Sequence, residues 1–486
     1  MATIFDTKRL VKRVVLANIA AKHGLAITPL LSGPHGIGKS MILREVAKDL
    51  GGYCLTVEGG SLNEGEITGL PVCGKNEDGS ATVVFTPYPE ISKIQRIEKF
   101  YYEKARTTGF LDGRVKLDEN GNTIVIKNGK ETVIPARSTE DTVVAGTLNT
   151  FKFGDDLDLD TKIELLTSGE IKPIVLFIDE INRTEQQTMK ELMNIILNRT
   201  VNGYEFPWFV SVVSAINPCS QNSSYATNEM DDAQIDRFLK IKVAANFSDW
   251  VEYALDSGIN QDIIEGLAMS DEIFLGKKNS SHEDSDNMTP SPRSWEMVAH
   301  LYTYLPFFNN TKYFSGEERK ELDGDIRTLI SGKVGPDCAR TIIENIKNRE
   351  DSIKPSDIIN GKNAFVDKEI MAKFMRQKKI RQKITLDAVL RYIAETICDF
   401  EKKGKSTDEK VKVQYNNYLM QIKELFAAID GAQRLAFTKK VAALDTYRAA
   451  DKQPIFNKIA AKCLSKEMLA SIREFQQNLN SLNDGQ

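Results

Sequence analysis

The residues with the clearest chemical potential form the octet GPHGIGKS, residues 33–40 of a 486-residue chain. Two glycines separated by four residues, followed by a lysine and a hydroxyl residue, are typical of a loop that binds phosphate. Glycines allow successive backbone N–H groups to face phosphate oxygens, and the N-terminus of the following helix adds partial positive charge. We predict that Lys39 contacts the β- and γ-phosphates and that the Ser40 hydroxyl binds Mg²⁺. The predicted nucleotide-binding residues are the octet and its neighbour, namely Gly33, Pro34, His35, Gly36, Ile37, Gly38, Lys39, Ser40 and Met41.

Two acidic residues, Asp179 and Glu180, end an apolar run much later in the chain. The run, Ile174–Ile178, shows no alternation, as expected of a strand buried on both faces of a parallel sheet. We predict that Asp179 completes the nucleotide and Mg²⁺ site through a water shell, and that Glu180 polarises an attacking water. The alternative is that the pair caps the next helix. A glutamate in this place favours hydrolysis, and ATP is favoured over GTP because the chain has no NKxD guanine-binding motif.

Two further polar residues stand where groups that sense a nucleotide would be expected. Asn217 ends an apolar run, and its amide could orient a water beside the γ-phosphate; a turn-forming Asn-Pro pair is the alternative. Arg237 follows a short predicted helix, and an arginine supplied by a neighbouring subunit would stabilise transition-state charge. The alternative for Arg237 is a surface ion pair with Asp236 or Asp232.

These groups require a sheet and helices that hold them in place. Apolar runs and helical periodicity predict strands at 27–31, 53–57, 174–178 and 209–215, and helices at 8–23 and 39–50. Strands that alternate with helices predict an open α/β sheet. From about residue 247 onward helical periodicity dominates, so the rest of the chain is predicted to be helical.

The motifs, taken in order, resemble those of AAA+ ATPases, and in particular of the MoxR-like branch with its insert in helix 2. The matching segments lie within residues 28–300 and are GPHGIGKS, GEITGLPV with the hairpin ending VVFTPYP, LFIDEINR, AINP, DDAQIDRF and SPRSWEMV. The resemblance implies a P-loop NTPase core, a three-layer α/β/α sheet, followed by an α-helical lid and a helical C-terminal extension. The implied domains are the core at 1–246, the lid at 247–350 and a mildly basic extension at 351–486.

The resemblance also implies roles for individual residues. Lys39 and Ser40 would be the Walker A residues, and Asp179 and Glu180 the Walker B residues. Asn217 would be the sensor 1 residue. Arg237 would be the arginine finger, and Arg293 the sensor 2 that reaches the γ-phosphate from the lid. Without the resemblance, Arg293 would be interpreted as a surface arginine at the start of a helix. Asn182 and Arg183 match the family's INR turn without a defined role.

Family members assemble as rings, usually hexamers, and a composite site between subunits explains why an arginine finger is expected. The hairpin at about 72–85 is similar to the helix-2 insert, which commonly faces the central pore. MoxR-like proteins often act beside a protein with a von Willebrand factor A domain. The leading hypothesis is therefore a ring-forming ATPase that uses ATP and Mg²⁺ to remodel, assemble or chaperone a protein partner.

Two regions depart from the family pattern. A long insertion at about 88–170 contains a predicted helix from Ile91 to Lys104 and the hairpin signal Asn128-Gly129. The tail beyond about residue 351 is longer than a minimal lid. Long insertions usually have functions of their own, so specificity for a substrate or partner is expected in these regions.

Composition limits the other classes of function. A net charge of −4 and no apolar stretch of transmembrane length give no signature of a nucleic-acid-binding or membrane protein. Six scattered cysteines argue against a disulfide framework or a metal site and favour a reduced, cytoplasmic protein. Two alternative functions remain. One is a nucleic-acid motor or loader that uses the basic patch 373–383. For this patch, a solvated helix face is the favoured interpretation. The other is a nucleotide-gated scaffold with little turnover.

Overall fold

Five parallel strands form the central sheet of the first of two compact units, Met1–Asp249 and Trp250–Gln486. The structure, a computed structural model, describes residues 2–21, 26–75, 81–135, 153–217, 230–276, 289–348, 353–402 and 409–443. With elements numbered along the chain, the sheet order is β12 (Phe238–Lys242), β1 (Thr28–Ser32), β11 (Val210–Ile216), β8 (Ile174–Asp179) and β2 (Tyr53–Glu58). The predicted α/β fold class with an open parallel sheet is confirmed.

Helices cover both faces of this sheet, which explains its unbroken apolar runs. Val175 and Phe177 of β8 are buried in one core cluster with side chains of α1 (Ile4–Ala20) and α2 (Lys39–Asp49). Leu176, between them, is buried in a second cluster with side chains of α3 (Pro89–Thr107) and α5 (Gln186–Asn198). Because successive side chains point to opposite faces of a strand, a strand between two helical layers must be apolar at every position. The first unit is therefore a three-layer α/β/α structure.

Helix α1 begins earlier than its predicted range of 8–23. Thr3 is its N-cap, and the Thr3 hydroxyl accepts a hydrogen bond of 3.1 Å from the Asp6 N–H. A capping threonine satisfies one of the unpaired N–H groups of the first turn, so the helix can start at Ile4. The apolar periodicity alone did not reveal this start.

Among the described residues, three small antiparallel sheets lie outside the central one, and two of them belong to the predicted insert and the long insertion. The predicted insert is a hairpin of β3 (Leu70–Lys75) and β4 (Ala81–Thr86). The long insertion begins with α3. A sheet of three strands and a short helix follow. The strands are β5 (Val115–Leu117), β6 (Thr123–Lys127) and β7 (Lys130–Ile134), and the helix is α4 (Leu159–Thr167). Asn128 and Gly129 between β6 and β7 both have positive φ, 51° and 74°, as the predicted tight turn requires.

The remaining elements of the first unit are short. A two-stranded ribbon of β9 (Thr200–Val201) and β10 (Tyr204–Glu205) follows α5. One helical turn, α6 (Asp232–Ile235), precedes the edge strand β12. Residues 218–229, which begin with the proline of the AINP motif, lie outside the described residues.

The described part of the second unit contains helices and no strand. Its first helix starts just before the boundary of the unit, and the helices are α7 (Phe247–Asp256), α8 (Gln261–Met269), α9 (Pro292–Asn309), α10 (Leu322–Val334), α11 (Pro336–Lys347), α12 (Pro355–Ile358), α13 (Lys368–Arg376), α14 (Lys379–Lys402), α15 (Glu409–Ala428) and α16 (Gly431–Ala443). Phe374, Ile422 and Phe426 are fully buried in a core that α13 to α16 share. Over the described ranges, no helix has the length and apolar character that crossing a membrane requires.

Candidate nucleotide-binding site

The octet 33–40 connects β1 to α2 at the carboxyl edge of the parallel sheet. Gly36 and Gly38 have φ of 70° and 94°, values that L-residues with a side chain rarely adopt. Gly33 needs to be glycine for a different reason, because a Cβ there would lie 2.6 Å from the Val243 carbonyl oxygen. The loop backbone is thus shaped by glycine at three positions, as a cradle of N–H groups requires.

The other loop residues differ in exposure. Ile37 is buried in the core cluster shared by α1 and α2, which fixes the middle of the loop to the protein. Pro34 and His35 are exposed, and Ser40 and Met41 are half-buried. The predicted residues 33–41 therefore form a loop and the first turn of α2, with an anchored centre and an accessible rim.

Lys39 is held at the centre of the site. Its side chain is only 7% exposed, and Nζ donates to the carbonyl oxygens of Gly33 and Pro34 over 2.8 and 2.9 Å. A third bond of 2.7 Å goes to Oδ1 of Asn217. Burying an ammonium group is costly unless it is hydrogen-bonded, and three acceptors meet that need. Three acceptors therefore hold the lysine beside the cradle.

The predicted Mg²⁺ ligands lie together. The Ser40 hydroxyl donates to Oδ2 of Asp179 over 2.8 Å, and Oδ1 of Asp179 accepts the Glu180 N–H over 2.9 Å. A hydroxyl and a carboxylate are hard oxygen ligands of the kind that Mg²⁺ prefers, usually together with waters and phosphates. The residues present therefore fit this metal.

Glu180 adopts the left-handed conformation, with φ of 50° and ψ of 39°, at the end of β8. Its Oε1 accepts a hydrogen bond of 2.8 Å from Nδ2 of Asn217, and its Oε2 lies 3.0 Å from Nη1 of Arg183. Nδ2 of Asn182 donates to the backbone oxygen of Asn217 over 2.9 Å. The INR turn therefore takes part in the site. Glu180 is the N-cap residue of the 3-10 turn Ile181–Arg183, but its side chain makes no capping hydrogen bond there, and the next α-helix, α5, has Glu185 as its N-cap.

Sequence analysis missed a third carboxylate in the site. Glu58, the last residue of β2, pairs in register with Asp179. Burial and the charges of Asp179 and Glu180 raise the pKa of Glu58, and the nearby Arg44 partly opposes this effect. The signal was present in the sequence, since Glu58 directly follows a predicted strand in the same way that Asp179 does.

Arg237 is the first of the two predicted arginines. Arg237 is exposed between α6 and the edge strand β12, and no described contact joins it to Lys39 or Glu180. Among described residues, neither Asp232 nor Asp236 forms an ion pair with it, in contrast to the alternative interpretation.

Arg293 belongs to the second unit. It is exposed in the first turn of α9, which begins with Pro292 and is capped by Ser291, whose Oγ accepts the Ser294 N–H over 3.2 Å. Its charge acts on Glu296: burial raises the pKa of that carboxyl, and the Arg293 charge counteracts the shift.

No protein-family model and no curated protein matches this chain. A candidate ATPase from Cytophaga hutchinsonii has a similar solved structure, with 14% identity, a TM-score of 0.26, and coverage of 70% of this chain and 89% of that one. PCH-2 of C. elegans is similar at 13% identity and a TM-score of 0.25, covering 71% and 68% of the two chains. The RuvB Holliday junction branch migration motor of Thermotoga maritima has 12% identity and a TM-score of 0.24, covering 70% and 67%. At these TM-scores the similarities carry no argument, and the site is assigned from the contacts described above.

Proposed function

We propose that this protein binds ATP with Mg²⁺ and hydrolyses it, as a MoxR-like AAA+ ATPase that remodels, assembles or chaperones a protein partner. The observation that supports this most directly is the chain of hydrogen bonds from Lys39 through the Asn217 amide to Glu180. It lies next to the Ser40–Asp179 pair. These are the groups that phosphoryl transfer to water needs, on one edge of one sheet.

Each residue has a defined task in this proposal. The cradle N–H groups and Lys39 bind the β- and γ-phosphates, and Ser40 and Asp179 hold the metal ion, which neutralises phosphate charge when bound. Glu180 takes a proton from water as the water oxygen attacks the γ-phosphorus and the bond to the bridging oxygen breaks. Asn217 holds the Glu180 carboxylate in place and faces the same space as Lys39.

We also propose that the active form is a ring of six copies, as is usual in the resembled family. The exposure of Arg237 supports this, because an arginine that no described acid engages can reach the site of a neighbouring copy. Arg293, exposed at the start of a helix of the second unit, is proposed as the sensor 2 residue. A von Willebrand factor A domain protein remains the proposed class of partner.

The competing function of a nucleic-acid motor is less well supported. Within the basic patch 373–383, Lys379 lies 2.6 Å from Asp430 and Lys383 lies 2.7 Å from Glu252. Partnered cations release fewer counterions on binding a phosphate backbone, so they contribute less to nucleic-acid affinity. A solvated, ion-paired helix surface is the better interpretation of this patch.

The proposed hydrolysis is tested by steady-state ATP turnover of the wild-type protein and of Glu180→Gln. We expect the variant to lose at least about a hundredfold in kcat while it still binds ATP. Glu185→Gln, an exposed glutamate just before α5, is the matched control and should behave as the wild type. Equal turnover of Glu180→Gln and wild type would rule out the hydrolytic role; binding without turnover in the wild type would favour the scaffold.

A further inference from the structure

The loop between α12 and α13 is fixed to one face of α15. Gln421 of α15 is fully buried, and its Oε1 accepts the N–H groups of Asn360 and Gly361, each over 3.0 Å. Its Nε2 donates to the carbonyl oxygen of Phe365 over 3.4 Å. One turn earlier in the helix, the Asn417 amide donates to the Gly361 carbonyl oxygen over 3.0 Å. Two amide side chains of α15 therefore hold the loop against the helix.

A groove of 410 Å³ lies where this loop meets the helix. It is lined by six described residues, namely Gly361, Lys362, Lys410, Val413, Gln414 and Asn417. The four that belong to α15 are spaced i, i+3, i+4 and i+7, so they share one face of the helix. Gly361 has a φ of 67°, and a Cβ there would lie 2.9 Å from Cγ of Gln414, so the loop backbone approaches the helix closely. The volume is in the range of ligand-binding clefts.

The groove offers positive charge, an apolar contact and hydrogen-bonding amides. Two of its six lining residues are lysines, and none is acidic. Lys362 is exposed and forms no ion pair within the part of the chain that the structure describes. Val413 is 55% exposed, so an apolar group of a ligand could cover it. The loop uses Nδ2 of Asn417, which leaves the acceptor Oδ1 for a donor on a ligand.

We propose that this groove binds an acidic peptide segment of a protein partner, with carboxylates on Lys362 and Lys410 and an apolar side chain on Val413. Carboxylates complement the charge of the groove, and the amides can pair with peptide groups. A nucleic acid is the other polyanion to consider, but single strands are usually bound on aromatic platforms, and none of the six lining residues is aromatic. The inference rests on the proposed function only in taking the partner to be a protein.

Fluorescence polarisation of the whole chain without nucleotide tests this proposal, with the fluorescein-labelled peptide EEELEEE as the probe. We expect the wild type to bind, and Lys362→Glu and Lys410→Glu should each weaken binding about tenfold, because each replaces an attraction by a repulsion. Lys423→Glu makes the same charge change at an exposed position of α15 that lies roughly 130° around the helix axis from the groove, and it is the matched control. Equal weakening by all three variants would overturn the proposal, since only net charge would then matter.

The apolar contact is tested separately. Val413→Ala should weaken binding of EEELEEE about threefold and leave binding of EEESEEE, in which serine replaces leucine, unchanged. Met420→Ala, at a 44% exposed position of α15 outside the groove lining, is the control. If the wild type binds both peptides equally and Val413→Ala changes neither affinity, the proposed contact with Val413 is wrong. All these variants change exposed side chains, so thermal unfolding should match that of the wild type.

Other occupants of the groove would give different results. Tighter binding of fluorescein-labelled oligothymidylate than of EEELEEE, weakened by the same two charge reversals, would make the groove a nucleic-acid site and overturn the proposal. If EEELEEE does not bind and Lys362→Glu lowers the molar mass measured by light scattering, the groove is a contact between copies of this chain.

The test is also independent of ATP hydrolysis. Glu180→Gln should bind EEELEEE as the wild type does, because the measurement uses no nucleotide. Absence of peptide binding in the wild type would refute the groove and leave the proposed ATPase activity standing. Equal ATP turnover of Glu180→Gln and the wild type would refute the proposed hydrolysis and leave the groove standing.

Discussion

Oγ of Ser40 lies 2.8 Å from Oδ2 of Asp179, although 139 positions separate the two residues in the chain. Ser40 is in the first turn of α2, and Asp179 is the last residue of β8. Strand β1, which leads to the Ser40 loop, is separated from β8 by β11 in the sheet. The hydroxyl and the carboxylate therefore meet across the carboxyl edge of three parallel strands, where a metal between them would join the loop to the acidic strand.

This pair should determine the magnesium requirement of turnover. We expect Ser40→Ala to raise the Mg²⁺ concentration for half-maximal ATP hydrolysis about tenfold, because one oxygen ligand is lost. Ser168→Ala, which removes a hydroxyl that bonds only to the nearby backbone of Leu165 and Glu170, is the control. A magnesium titration of turnover measures the effect, and an unchanged midpoint for Ser40→Ala would exclude the hydroxyl as a ligand.

Gly38 should be required for binding and not only for folding. Gly38 and Gly51 both have positive φ, 94° and 63°, and a Cβ on either would meet nothing within 4 Å. Alanine at each position should therefore cost a similar free energy of unfolding, about 1–2 kcal/mol, from backbone strain alone. Only Gly38→Ala should weaken ATP binding, by about tenfold or more, because it moves cradle N–H groups. Equal loss of affinity in both variants would show that general destabilisation is the cause.

Glu58 should destabilise the folded state at neutral pH. Burial and two neighbouring carboxylates raise its pKa above the ordinary glutamate value, so the folded protein holds this proton more tightly than the unfolded chain. The free energy of unfolding then falls as pH rises from the ordinary glutamate pKa through the raised one. We expect Glu58→Gln to raise the Tm by about 1–3 °C at pH 7.5, with a smaller gain at pH 4.5.

Glu103→Gln, at a 61% exposed position of α3, is the matched control for this comparison. The measurement is thermal unfolding of the three proteins at both pH values. A Tm for Glu58→Gln at or below that of the wild type at pH 7.5 would contradict the unfavourable charge assigned to this position.

Arg237 should act on the site of a neighbouring copy. We expect Arg237→Ala to bind ATP but to lose about a thousandfold in kcat, the usual contribution of an arginine finger. Lys240→Ala, an exposed cation on the adjacent strand, is the control. Mixing Arg237→Ala with Glu180→Gln should restore part of the turnover, because one variant supplies the glutamate and the other the arginine. If Arg237→Ala and Glu180→Gln stay inactive when they are mixed, Arg237 does not act on the site of a neighbouring copy.

The sequence by itself determined the features that depend on local patterns. The cradle at 33–40 was recognisable because glycine spacing and a following helix are properties of one short segment. The unbroken apolar run of β8 predicted a buried parallel strand and located Asp179 and Glu180 at its end. The turn at Asn128-Gly129 was predicted for the same reason, since two positive φ angles need these residue types.

Only the tertiary structure decided which side chains meet. The bonds from Asn217 to Lys39 and Glu180 exist because β11 lies between β1 and β8, a strand order that comes from non-local pairing. The groove beside α15 depends on the close approach of Gly361, and the effect of Glu58 depends on its register opposite Asp179. Local residue preferences do not specify such long-range pairings, because packing of whole elements selects them. The sequence therefore identified the parts of the site, and the packing of the sheet brought them into contact.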